Sequence, residues 1–146
     1  MRRFALLLVV GGAAAIFAVG ATADAVYHTT TIPLQPVAGA PGGGVVINIH
    51  ADGPTVYAHE LYLLKGARAG SYQVALHIDP AHLDCSAPAL DLPTATVVTN
   101  VVGNGEADAT FTPEEADGLR GHTVSAFWTV TGPASYRTGC TIITLD

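Results

Sequence analysis

Short runs in which apolar and polar residues alternate, separated by turn residues, fill the chain from Val45 onward. The clearest run is SYQVALHI, Ser71 to Ile78. Tyr72, Val74, Leu76 and Ile78 fall on one face, and Ser71, Gln73, Ala75 and His77 on the other. A period of two marks a half-buried strand, so this run predicts a strand with His77 on its polar face. VVINIH, TVYAHELYLL, HTVSAFWTVT and the stretch Tyr136 to Leu145 read as further strands. PTATVVTN and EADATF flank Gly103-Asn104-Gly105, whose glycines supply the positive φ of a tight hairpin. In its second arm Ala107, Ala109 and Phe111 are expected to point inward and Glu106, Asp108 and Thr110 outward. At TPEEADGLRG, Thr112 suits an N-cap, Pro113 the first helical position and Glu115 the third, which predicts one helical turn closed by Gly118 or Gly121. The pattern is that of an all-β, antiparallel chain of seven to eight strands with one short helical turn.

The start of the chain breaks this pattern. Arg2 and Arg3 precede an apolar run from Phe4 to about Gly20, and Ala21-Thr22-Ala23 fits a signal-peptidase site. Residues 1–23 are therefore expected to be a secretory signal peptide. An uncleaved anchor is the alternative, since the run approaches the length of a spanning helix. Ala25 to Ile32 predicts a first strand, and Pro33 to Gly44, PLQPVAGAPGGG, a linker by composition. The organisation expected is a signal peptide (1–23), an N-terminal strand and linker (24–44) and a β-sandwich domain (45–146).

Charge narrows the function classes. Beyond Ala23 there are four cationic residues, Lys65, Arg68, Arg120 and Arg137, against twelve acidic ones, a formal balance of −8. Such a surface neither neutralises phosphates nor attracts anionic lipid, so nucleic acid is excluded as a partner, and so is a membrane once the signal is removed. The two cysteines, Cys85 and Cys140, are expected to form a disulfide in the oxidising space to which the leader directs them. That places the protein outside the cytoplasm, secreted or at the cell envelope.

The densest chemistry is HIDPAHLDC, His77 to Cys85. With Cys85 in a disulfide, His77, Asp79 and His82 are left as a candidate copper or zinc site, joined by His50 or His59 if their strands lie alongside. The alternative is a strand end and a proline-stiffened loop, Asp79 to Leu92, pinned by the disulfide, with His77 and His82 at its base as partner contacts. In VYAHELYLL, alternation puts Tyr57 and His59 on one face with Leu61, and Glu60 and Tyr62 on the other. Tyr57 and His59 are candidate contacts, and the four form no single constellation. Glu114 and Glu115 are adjacent and suit the first turn of a helix through its dipole. The chain contains no G-x-S-x-G elbow and no phosphate-binding loop.

The run of short strands, the step Gly70-Ser71-Tyr72-Gln73-Val74 and the buried-type Trp128 with a disulfide resemble the immunoglobulin-like sandwich modules of bacterial exported proteins. The resemblance covers about Val45 to Asp146 and implies a fold and no activity. The function expected is a non-catalytic exported module, without a cofactor, that binds an extracellular protein or glycan. The second reading is a small metal-dependent carrier or redox protein using the His77, Asp79 and His82 set.

Overall fold

The structure is a computed structural model and describes residues 27–51, 58–112, 118 and 121–145. It contains nine strands: β1 Tyr27–Pro36, β2 Gly43–Ala51, β3 Ala58–Lys65, β4 Gly70–Asp79, β5 Leu90–Thr99, β6 Gly105–Phe111, β7 His122–Thr131, β8 Ser135–Thr138 and β9 Thr141–Leu145. All the ladders are antiparallel, in the order β5-β4-β7-β8-β1-β2-β3-β6, with β9 paired to β7. The two ends of that order, β5 and β6, are neighbours in sequence and joined by one turn. The sheet thus becomes an almost closed, barrel-like shell. No α-helix occurs among the described residues, and the expected helical turn falls mainly on 113–117 and 119–120, outside them. The expected signal segment (1–23) and Tyr57 also lie outside the described residues.

Alternation decides what fills the shell. Tyr72, Val74, Leu76 and Ile78 of β4 are buried, as their period requires. Val124, Ala126, Trp128 and Val130 of β7 join them, opposed by Ile32 and Leu34 of β1, Val46 of β2, and Tyr62 and Leu64 of β3. Each large side chain removed from water contributes roughly 1.5–3 kcal/mol, so this cluster supplies most of the drive to fold. Ala107, Ala109 and Phe111 of β6 point towards the core and Glu106, Asp108 and Thr110 away from it, as the sequence predicts.

Two expectations are corrected. The Pro- and Gly-rich stretch 33–44 is no linker: β1 runs through Pro36, and after a short turn β2 returns along it, from Leu34 opposite Gly44 to Tyr27 opposite Ala51. Proline lacks an N–H and is tolerated on a strand with one bonded edge, which is the situation of Pro33, since β8 meets β1 only at Leu34–Pro36. The turn at Gly103 forms as expected, with Asn100 N–H bonded to Asn104 O. Its arms, however, separate to opposite ends of the sheet order, β5 onto β4 and β6 onto β3. Gly103 has φ +80°, and a Cβ there would lie 2.0 Å from Ala67 O; its own carbonyl accepts Ala67 N–H at 3.0 Å. The turn is thereby docked on the β3–β4 connection, where only glycine fits.

Two local features position the sites below. β8 and β9 both pair with β7, but their register slips by one residue across Gly139-Cys140, the mark of a bulge. β1 touches β8 over three residues and then parts from β9, which leaves a cleft in the wall lined by His28, Thr30, His50 and Ile142–Thr144.

Candidate functional site: a pinned loop, a cross-strand clasp and a polar core

The loop between β4 and β5 folds back over the outer face of β4 and β7. Asp79, 1% exposed, is its anchor. Its carboxylate accepts the backbone N–H groups of Ala81, His82 and Ala87 at 2.8–3.1 Å, and His82 Nδ1 lies 3.2 Å away. Burial pushes the Asp79 pKa up, but these hydrogen bonds outweigh it and hold the carboxyl below its ordinary value. Ser125, buried on β7, accepts Cys85 N–H and donates to His82 O, both within 3.0 Å. The Cys85–Cys140 disulfide then ties the loop to the bulge between β8 and β9. Cys85 has φ +56°, an uncommon conformation for a residue with a Cβ, and it is held there by the disulfide and the Ser125 bond.

His77 does not sit free at the base of this loop. Its Nδ1–H is given to Asp91 of β5, and Nε2 accepts the Thr129 hydroxyl of β7 at 2.8 Å. The ring stacks on Phe127 at 4.5 Å, and the Arg137 guanidinium lies over that same phenyl at 4.0 Å. Asp91, His77 and Thr129 follow the order of a hydrolase triad, yet Thr129 sits inside the ladders to Ala75 and Arg137. The surrounding N–H groups are engaged in strand pairing and provide no oxyanion donors. The arrangement is a clasp across three strands.

The third cluster lies inside the shell. Glu60, 1% exposed, accepts hydrogen bonds from Asn48 Nδ2 at 2.8 Å, from the Tyr62 hydroxyl, and from Trp128 Nε1 at 2.7 Å. Burial is the largest influence on it and raises its pKa above the ordinary value; the three donors pull down without overcoming it. Because Asn48 turns its NH₂ to Glu60, its oxygen faces His50 Nδ1 at 3.1 Å, and that nitrogen carries the proton. His50 stacks on His28, directly opposite it across β1 and β2, with ring centres 5.3 Å apart.

The residues His77, Asp79 and His82 therefore do not converge as a metal site. His77 is clasped by Asp91 and Thr129, and Asp79 is turned into its loop, with His82 as its neighbour. His50 belongs to the opposite side of the shell, and His59 lies beside Asp108 at 3.6 Å on the outer face of β3. Among the described residues no group of three or more His, Cys, Asp or Glu side chains is placed to hold a metal. His82, its side chain 55% exposed, remains a surface residue of the loop. Sequence reasoning missed Asn48, Glu60 and His28. Glu60 shares a face with Tyr62 and Leu64, and that shared face was the available signal. Compared with known proteins, the chain matches no family model, no curated protein and no solved structure.

Proposed function

We propose that the protein is an exported, non-catalytic β-domain that binds an extracytoplasmic partner, a protein or a glycan, through the loop from Asp79 to Leu92. The observation that carries this reading is the way the loop is built. A disulfide, a buried carboxylate and a buried serine fix its backbone, while Leu83, Leu90 and Leu92 stay exposed, Leu83 at 54%. A surface loop made rigid before contact loses little entropy on binding, and exposed leucines on a fixed backbone are an apolar contact area. The disulfide agrees with an oxidising environment outside the cytoplasm.

The test is photo-crosslinking in the producing cells, with a photoreactive side chain placed at Leu83 or, as the comparison, at exposed Val101 in the β5–β6 turn. A discrete adduct from position 83 that is lost in the Cys140→Ser background is expected. Adducts from position 101 and none from 83 would overturn the assignment of the loop.

A further inference from the structure

We propose that one end of the shell, the end away from the Asp79–Leu92 loop, docks on an anionic lipid surface. Four connections meet at that end, because β1, β3, β5 and β7 finish there and β2, β4, β6 and β8 begin there. They pack as one body. A Cβ on Gly42, in the β1–β2 turn, would lie 2.3 Å from Lys65 O, which shows how closely that turn meets the β3–β4 connection. On the other side of the same connection Ala67 N–H is bonded to Gly103 O of the β5–β6 turn at 3.0 Å, and Arg68 Nη1 donates to Pro133 O of the β7–β8 turn at 3.5 Å.

Three features of this end select the surface. The first is charge. Residues 36–42, 65–70, 99–105 and 131–135 contain no Asp or Glu, in a chain that has twelve, and their two charged residues are the exposed Lys65 and Arg68. The net charge of the chain conceals this polarity. β4 alone runs ten residues from Gly70 to Asp79, which puts about 30 Å between this end and the Asp79 carboxylate. Screening over a Debye length of about 8 Å removes repulsion from that distance. Glu106, on the outer wall opposite Leu63, is the acid that flanks the end and offsets part of its attraction. The second feature is apolar relief: Val37, Val101 and Val102 stand 46%, 93% and 67% exposed. The third is the backbone beneath the two projecting valines. Asn100 N–H bonds Asn104 O, Gly103 N–H bonds Asn100 O, and the Asn100 side-chain oxygen accepts the N–H groups of Val102 and Asn104 at 3.0 Å. A turn whose N–H groups are already paired enters the headgroup region without stripping water from them. Valines at the tip with cations behind them match the apolar and anionic layers of a bilayer in that order. A second copy of this end is a poor occupant, since it would set Lys65 and Arg68 against their own equivalents.

The experiment sediments the exported protein, in the form its producing cells release, with vesicles of equal parts phosphatidylglycerol and phosphatidylcholine, and with vesicles of phosphatidylcholine alone. Binding to the first and little to the second is expected, falling as salt is added. Lys65→Gln and Arg68→Gln should each weaken binding by roughly fivefold. Val101→Ser combined with Val102→Ser should weaken it by about tenfold, with the melting temperature unchanged because both side chains are exposed. Val101→Trp and Leu83→Trp place a fluorescent reporter at the two ends, against the constant background of buried Trp128. Emission should shift to the blue on adding anionic vesicles for position 101 and stay fixed for position 83. No sedimentation with anionic vesicles, equal binding to both vesicle types, binding unchanged by the serine pair, or an equal shift at position 83 would each overturn the proposal. A protein adduct from position 101 without vesicle binding would also overturn it, by giving this end to a protein partner.

Discussion

Asp79 and Glu60 are both carboxylates with 1% of their surface exposed, and the fold sets them in opposite states. Asp79 is met by backbone N–H groups of its own loop, which are fixed once the loop closes and favour the charged form. Glu60 is met by side chains from β2, β3 and β7, in an apolar interior that favours the neutral form. Burial alone therefore does not decide the charge of a carboxyl. The number and rigidity of the donors aimed at it decide, and they assign these two groups different work: one orders a surface loop, the other joins the two sides of the shell.

Breaking the loop side has the largest expected effect. Cys140→Ser opens a disulfide spanning 55 residues and should cost about 4 kcal/mol on the chain-entropy argument, a fall in melting temperature of roughly ten degrees or more. Hydrogen exchange should show lost protection at Ala81, His82 and Ala87 with that of β2 and β3 retained. Loss spread equally over both regions would mean that the two carboxylate sites are not independent. Glu60→Ala attacks the other side. It leaves the Trp128, Tyr62 and Asn48 donors without their acceptor inside an apolar core, at a cost of about 3 kcal/mol, measured by denaturant unfolding.

The finest distinction is in the pH dependence. The Asp79 pKa is depressed in the folded state, so its contribution is present above the unfolded value near pH 4 and is lost as pH falls through the folded value. The Glu60 pKa is raised, so its contribution is full below its unfolded value near pH 4 and is lost as pH rises through the folded one. Melting temperature against pH should therefore rise in the acid limb and decline gently above it. Asp79→Asn should flatten the first slope and Glu60→Gln the second. A slope left unchanged by its own variant would reject that assignment.

Where one face of a strand is plainly apolar and the other plainly polar, the sequence was enough. The β4 alternation, the β6 alternation and the turn at Gly103 follow from local residues, and the Cys85–Cys140 bond from the presence of two cysteines alone. β3 resisted because both its faces carry leucine, Leu61 and Leu63 outward and Leu64 inward, so its pattern does not mark Glu60 as buried. His28 was hidden differently. Composition read 33–44 as a linker and set the strand before it outside the domain, whereas the ladder from Tyr27 to Leu34 makes that strand part of the wall. Which donors meet a carboxyl, and which histidines face each other, depends on pairings between distant strands that a one-dimensional pattern does not carry.

The three-residue seam between β1 and β8 has a consequence for how the molecule is made. Leu34 is synthesised 104 residues (138 − 34) before Thr138, its partner across the seam, and waits for it. The first hairpin forms from local contacts alone, but the shell cannot close vectorially from the N-terminus. Assembly is governed by contacts of high sequence separation, which places it among slow-folding topologies. Until β8 arrives, the β1–β2–β3 edge stands open, and a growing chain must be kept from pairing with its neighbours along that edge.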